Sequence, residues 1–282
     1  MSDAGATLAK LLHGPMLAGT FINAVLYGVS ITQVYIYVKT FRTTDKQWIK
    51  GFIAVLFALD TINTVFDMAF MYDSVISHFG DVAYIQNANW IFCTDPALTG
   101  VIGVTVQLFF AWRVKILTGS TAASIVIALT AILQCLAGIA TSIAVGFIPA
   151  YLEFRRFKPA VIVWLAGSAA CDTMITIVLV WHLRRHKGGF STTDDVIDRI
   201  IRVTVQTGML TSLVALIDLV LFISSPSGLH LAFNFPLSKL YTNSLLSSLN
   251  SRKGWAFTST SDQTASATAD RRTKRVSSCQ SR

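Results

Sequence analysis

Seven stretches of this chain are long and apolar enough to constrain every other reading. They run Pro15–Val38, Trp48–Met71, Trp90–Trp112, Thr121–Ile148, Pro159–Leu183, Val203–Ile223 and Leu229–Asn250. A helix needs about 20 such residues to cross about 30 Å of hydrocarbon, and each stretch reaches that length. The composition agrees: 53% of the 282 residues are hydrophobic and 13% are charged. A soluble domain carries about 25% charged residues, so a water-facing surface cannot be built from this chain. The expected fold is all-α, a polytopic integral membrane protein built as a bundle of seven transmembrane helices. The last stretch is the weakest, because it holds Asn234, Pro236, Lys239, Asn243 and several serines.

Basic residues in the short loops orient such a bundle. Lys39, Arg42, Lys46 and Lys50 fall in the first loop, and Arg113 and Lys115 in the third. Arg184, Arg185, Lys187, Arg199 and Arg202 fall in the fifth, and the C-terminal segment adds seven more, giving 18 on one side. The other side holds Lys10, Arg155, Arg156 and Lys158. The excess predicts an N-terminus outside and a C-terminus inside. It also favours seven spans over six, since six would separate the basic C-terminal segment from the basic fifth loop. The net charge of +8 is therefore read as topology, and no nucleic-acid partner is inferred.

The six tryptophans sit at or near span ends, where amphipathic rings prefer to lie. Residues 1–254 form the membrane domain on this reading. Residues 255–282 are rich in Ser, Thr and Ala and read as a disordered, basic cytoplasmic tail, with Ser278 three residues after Arg275 as a weak phosphorylation pattern. Met1 to Lys10 lacks the pattern of a cleavable signal, so the first apolar stretch is expected to direct insertion. The four cysteines share no loop and imply no disulfide framework.

Asp60, Asp67, Asp95, Asp172, Asp218 and Lys239 are the ionisable residues inside the stretches. Each costs about 2.5–3.5 kcal/mol at a helix centre on insertion scales, so each must face the bundle and find a partner. Asp60, Asn63, Thr64 and Asp67 share one helical face of the second stretch. Two readings follow. In one, Asp60, Asn63, Asp67, Asp95, Asp172 and Asp218 line an outward-open polar cavity with Lys239 as its cationic floor. In the other, the same residues are interhelical hydrogen bonds and a buried ion pair that hold the bundle together. Counting from span ends places Lys239 at mid-depth, with Asp60 and Asp172 as candidate partners at the same level.

Chemical motifs are sparse. Lys239 does not fit a retinal Schiff base, because position 235 is Phe where a counter-acid is needed. The end of the third stretch reads Trp112-Arg113-Val114, without the acid that precedes the arginine in family-A receptors. His182 and His186 have metal-ligand spacing but stand among Arg184, Arg185 and Lys187, which reads as a cluster facing anionic lipid at the inner leaflet. No nucleophile elbow or paired-aspartate protease signature is present, so no enzyme, cofactor or metal is inferred. In the fifth loop, Thr192 and Asp195 have capping-box-like spacing, and Val196, Ile197, Ile200 and Ile201 form a stripe. This segment is either a cytoplasmic docking helix or the sixth span starting early.

Trp164 to Arg252 resembles the domain of unknown function found in fungal, mainly basidiomycete, seven-span membrane proteins. The segments that carry the resemblance are FSTTDDVIDRIIRVTVQTGMLTS, then Ala215 with Asp218-Leu219, then SKLYTNSLLSSLNSR from Ser238. Gly14-Pro15, Gly19, Asn23, Gly28, Gln33, Tyr35 and the run QLFFAWRVKIL from Gln107 are similar as well. The resemblance implies a seven-helix membrane protein and no reaction. Three function classes stay open: a receptor or sensor for an unknown ligand or partner protein, a transporter or channel using the intramembrane carboxylates, and a structural or scaffold protein. Beyond the lipid bilayer itself, no partner is specified, and nothing selects between plasma membrane and endomembrane.

Overall fold

The computed structural model describes residues 3–185, 191–225 and 228–251. The reading of residues 255–282 as a disordered tail lies outside them, as does His186. Among the described residues there are eight α-helices and no strand. They are α1 (Asp3–Phe41), α2 (Gln47–Tyr72), α3 (Val82–Ile85), α4 (Trp90–Thr118), α5 (Thr121–Phe147), α6 (Lys158–Arg185), α7 (Ser191–Ser224) and α8 (Leu231–Asn250). A π-helical turn, Asp73–Ser77, extends α2, and short 3-10 turns precede α6 and α8.

Each of the seven apolar stretches is helical. Six helices are long and apolar enough to cross a membrane, with α8 the exception. The reason lies in its neighbours. α8 packs against α1, α2, α4 and α7, and Phe235, Leu237, Ser238, Lys239 and Leu245 on it have no exposed surface. A helix shielded on most sides has no need of an apolar coat. The other helices show lipid-facing surfaces instead: Phe21, Val25, Val55, Leu129 and Ile177 are all more than half exposed. Buried polar side chains under an apolar exterior are the arrangement that lipid selects.

Consecutive long helices are neighbours around the bundle, and α8 closes it against α1. The α1–α8 seam fixes direction. Gly19 lies against Ala232, Asn23 Nδ2 donates to the Phe235 carbonyl at 3.2 Å, Asn243 Nδ2 donates to the Leu26 carbonyl at 3.0 Å, and Asn250 Nδ2 donates to the Gln33 carbonyl at 2.9 Å. The numbers rise together on both helices, so α1 and α8 run parallel. From Gly19 to Gln33 the seam extends about 21 Å at 1.5 Å per residue. Gly19 makes it possible: a Cβ there would stand 3.0 Å from the Ala232 Cα and the Leu231 carbonyl oxygen. Gly138 serves α4 and α5 in the same way, with the Pro96 carbonyl oxygen 3.1 Å from where its Cβ would be.

The segment left open between docking helix and early-starting span is resolved by continuity. Thr192 to Arg202 belongs to the same unbroken helix as the sixth apolar stretch.

Candidate functional site

The buried face of α2 comprises Ile53, Leu56, Asp60, Asn63, Thr64, Asp67, Phe70 and Met71, spaced as successive turns of one stripe. It meets α8, α4 and α1, and there the first polar group forms. Lys239 Nζ lies 3.1 Å from Asp60 Oδ1, and neither side chain has exposed surface. The ammonium also donates to Asn63 Oδ1 at 2.7 Å, to the Asp60 carbonyl at 3.1 Å and to Ser238 Oγ at 3.1 Å. Ser238 Oγ donates to Asn63 Oδ1 at 2.8 Å. Asn63 thus accepts on its oxygen and passes its amide on, Nδ2 donating to Asp95 Oδ1 on α4 at 2.9 Å. From α1, Asn23 Nδ2 donates to Asp67 Oδ2 at 2.5 Å. The Ser30 and Thr242 hydroxyls stand beside Asp60. One ammonium, two amides and three carboxylates therefore join four helices.

A second group lies between α4, α5, α6 and α8. Gln107 Nε2 donates to Asp172 Oδ1 at 2.9 Å, Gln134 Nε2 to Gln107 Oε1 at 3.1 Å, and Ser168 Oγ to Gln134 Oε1 at 2.7 Å. The Tyr241 and Thr211 hydroxyls face Asp172. Even so, Asp172 Oδ2 and the Tyr241 hydroxyl make no hydrogen bond of normal geometry among the described residues. These groups border a cavity of about 20 Å³ lined by residues of α4, α6, α7 and α8. About 10–15 Å³ accommodates one water, so this space admits a single small body.

The third group is Asp218, whose Oδ2 accepts from Asn234 Nδ2 at 3.0 Å. It shares a cavity of about 30 Å³ with Asp95, Asn234 and His230, among Phe92, Phe154 and Trp164.

The seven residues singled out from the sequence are all buried, but they do not share one cavity. Asp60, Asn63, Asp67, Asp95 and Lys239 come together. Asp218 touches this set only through the space next to Asp95, and Asp172 stands apart. Of the two candidate partners for Lys239, the ion pair is made with Asp60, while Asp172 takes an amide. Lys239 lines neither cavity. Sequence reasoning missed Asn23, Gln107, Gln134, Ser168 and Ser238. Their signal was available: an amide in the middle of an apolar stretch faces the same demand for a partner as an acid.

Outside the spans, a compact cluster ties the turn after α2 to the segment before α4. Tyr84 donates to Asp73 Oδ2, Asn89 Nδ2 donates to the Tyr84 hydroxyl oxygen at 3.1 Å, and His78 Nδ1 lies 3.4 Å from Asp73 Oδ1 with its ring stacked on Tyr84. Partial burial, together with the carboxylate that it bonds, pushes the Tyr84 phenol above the ordinary tyrosine range. Burial among Phe92, Phe154 and His13 does the same to Tyr151.

Residues 168–254 match the model of a family of unknown function (DUF6534). The match covers most of α6, all of α7 and all of α8, including Asp172, Asp218 and Lys239. No curated protein and no solved structure matches the chain.

Proposed function

We propose that the chain is a seven-span integral membrane protein, N-terminus outside and C-terminus inside, of the receptor or sensor type. The seventh span is α8. Its 20 residues give about 30 Å of helix, the thickness of the hydrocarbon layer. Its parallel course beside α1 supports the odd number of crossings, since a helix parallel to the first leaves the membrane on the same side as the first. The loop charges support the orientation. The resemblance to fungal seven-span proteins points the same way, and lipid is the surrounding partner, with anionic headgroups opposite Arg184 and Arg185.

The observation that carries the receptor reading is the bonded interior. α8 is tied to α1 through Asn23 and Asn243 and to α2 through Lys239, and at its far end Arg113 of α4 donates to Ser248. The two internal cavities described are of the size of one or two waters. A helix held along its length by polar contacts transmits a shift at one end to the other, whereas a transporter needs a passage to its coupling residues. The transporter reading rests on the intramembrane carboxylates alone.

Reconstitution into liposomes tests the choice. Vesicles loaded with a pH-sensitive dye and challenged with proton, sodium or potassium gradients are expected to show no protein-dependent flux. A flux abolished by Asp60→Asn replaces the receptor with a transporter. A glycosylation tag placed after Trp255 is expected to remain unmodified, as in the cytoplasm; a modified tag overturns the topology.

A further inference from the structure

We propose that the pocket beside Asp172 is a binding site for a small monovalent cation, with sodium as the probe. The polar side chains that line it carry oxygen alone: the Asp172 carboxylate, the Tyr241 phenol and the hydroxyls of Thr176, Thr204, Thr207, Thr211 and Ser244. Three of these make no hydrogen bond of normal geometry among the described residues, namely Asp172 Oδ2, Thr204 Oγ1 and the Tyr241 hydroxyl, although the Tyr241 and Thr211 hydroxyls stand beside the carboxylate. The three residues are 6%, 4% and 3% exposed, so water outside the bundle does not satisfy them. Three orphaned oxygens around one space are a donor set for a hard cation, which takes carboxylate, hydroxyl and carbonyl oxygens.

Charge and size narrow the class. Asp172 accepts from a neutral amide, and no Lys, Arg or His among the described residues pairs with it. One carboxylate balances one positive charge. A divalent ion would leave an uncompensated charge in a low-dielectric interior. A space of about 20 Å³ excludes any organic cation and admits a bare ion or one water. The crossing of α6 and α7 is closed at this level by Gly208, where a Cβ would stand 2.1 Å from Thr176 Oγ1, so the Thr176 hydroxyl and Asp172 are held against α7. The cation would bridge α6, α7 and α8, in the place that Lys239 takes between α2 and α8.

The test is thermal unfolding of the purified full chain in lipid nanodiscs, with sodium replaced by choline at constant ionic strength. A site half-filled near 10 mM is expected to raise Tm by about 3–6 °C between sodium-free buffer and about 150 mM. Asp172→Asn is expected to abolish that rise. Thr204→Val and Tyr241→Phe keep the charge and remove one oxygen each, and each is expected to shift the sodium midpoint upward about tenfold. Equal Tm values for the wild-type chain in sodium and choline overturn the proposal and leave a single water in the pocket. The same sodium-dependent rise in Asp172→Asn overturns it too. Should Asp172→Asn fail to fold, unchanged midpoints in both other variants have the same force.

Discussion

Asp60 on α2 and Asp172 on α6 are both buried, and each faces α8, yet their surroundings differ. Asp60 has a cation built into α8: Lys239 Nζ lies 3.1 Å from Oδ1, although its three hydrogen bonds go to Asn63, Ser238 and the Asp60 carbonyl and neither carboxylate oxygen makes one of normal geometry among the described residues. Asp172 has a chain of neutral donors, Ser168 to Gln134 to Gln107, and an oxygen that this chain does not reach. The first arrangement sets a cation beside the acid and binds α8 to α2. The second leaves the acid with neutral donors only, beside a small cavity. Burial therefore says that an acid has been accommodated, while the partner says whether it is a strut or a responsive element.

The largest effect that separates the two should come from Lys239→Met, which leaves Asp60 without its cation. It is expected to lower stability by about 3–5 kcal/mol, and the double variant Asp60→Asn/Lys239→Met should recover much of the loss. Unfolding of the two single variants and the double variant in nanodiscs reads the coupling; additive losses would mean that the pair does not interact. Next comes Gly19→Val, which puts a branched side chain where a Cβ is already 3.0 Å from α8 backbone. Overpacking of this kind costs about 1–3 kcal/mol, and cysteine crosslinking between α1 and α8 should show the seam opening. Asp172→Asn in sodium-free buffer should change stability by only about 1 kcal/mol, since a neutral amide contact is altered and no ion pair is broken. A loss as large as that of Lys239→Met would erase the distinction between the two acids.

The smallest effect lies outside the membrane. Tyr84→Phe removes the part-exposed hydroxyl that donates to Asp73 and accepts from Asn89, and should cost about 0.5–1 kcal/mol, seen as faster hydrogen exchange between Asp73 and Asn89. Because the folded chain raises the Tyr84 pKa above its ordinary value of 10.0, the unfolded chain loses that proton first. The contribution of Tyr84 is then whole below about pH 10 and declines as pH rises through the folded value. A decline setting in well below pH 10 would assign the titration to another group.

Helix positions were legible in the sequence because hydropathy and length fix them in one dimension. Depth was legible as well: counting along Leu229–Asn250 and Trp48–Met71 brought Lys239 and Asp60 to one level. Counting does not give the angle around the bundle. Asp172 shares that level but faces Gln107 across α4, so depth alone could not separate it from Asp60. The central position of α8 was hidden for a related reason. Its polar residues weakened it as a membrane segment, and only the packing of α1, α2, α4 and α7 around it explains why they are tolerated. Gln107 and Gln134 escaped notice because uncharged amides blend into apolar runs, though their demand for partners is similar in kind.

The position of α8 has a consequence for biosynthesis. It follows in the chain every helix that it packs against, so the acids of α2 are made well before the lysine that stands beside Asp60. Until α8 arrives, the acids of α2 face a groove with no ammonium in it. α8 itself, too polar to partition readily into lipid on its own, has that groove as its favourable destination. Its docking and the completion of the buried polar interior are then one event.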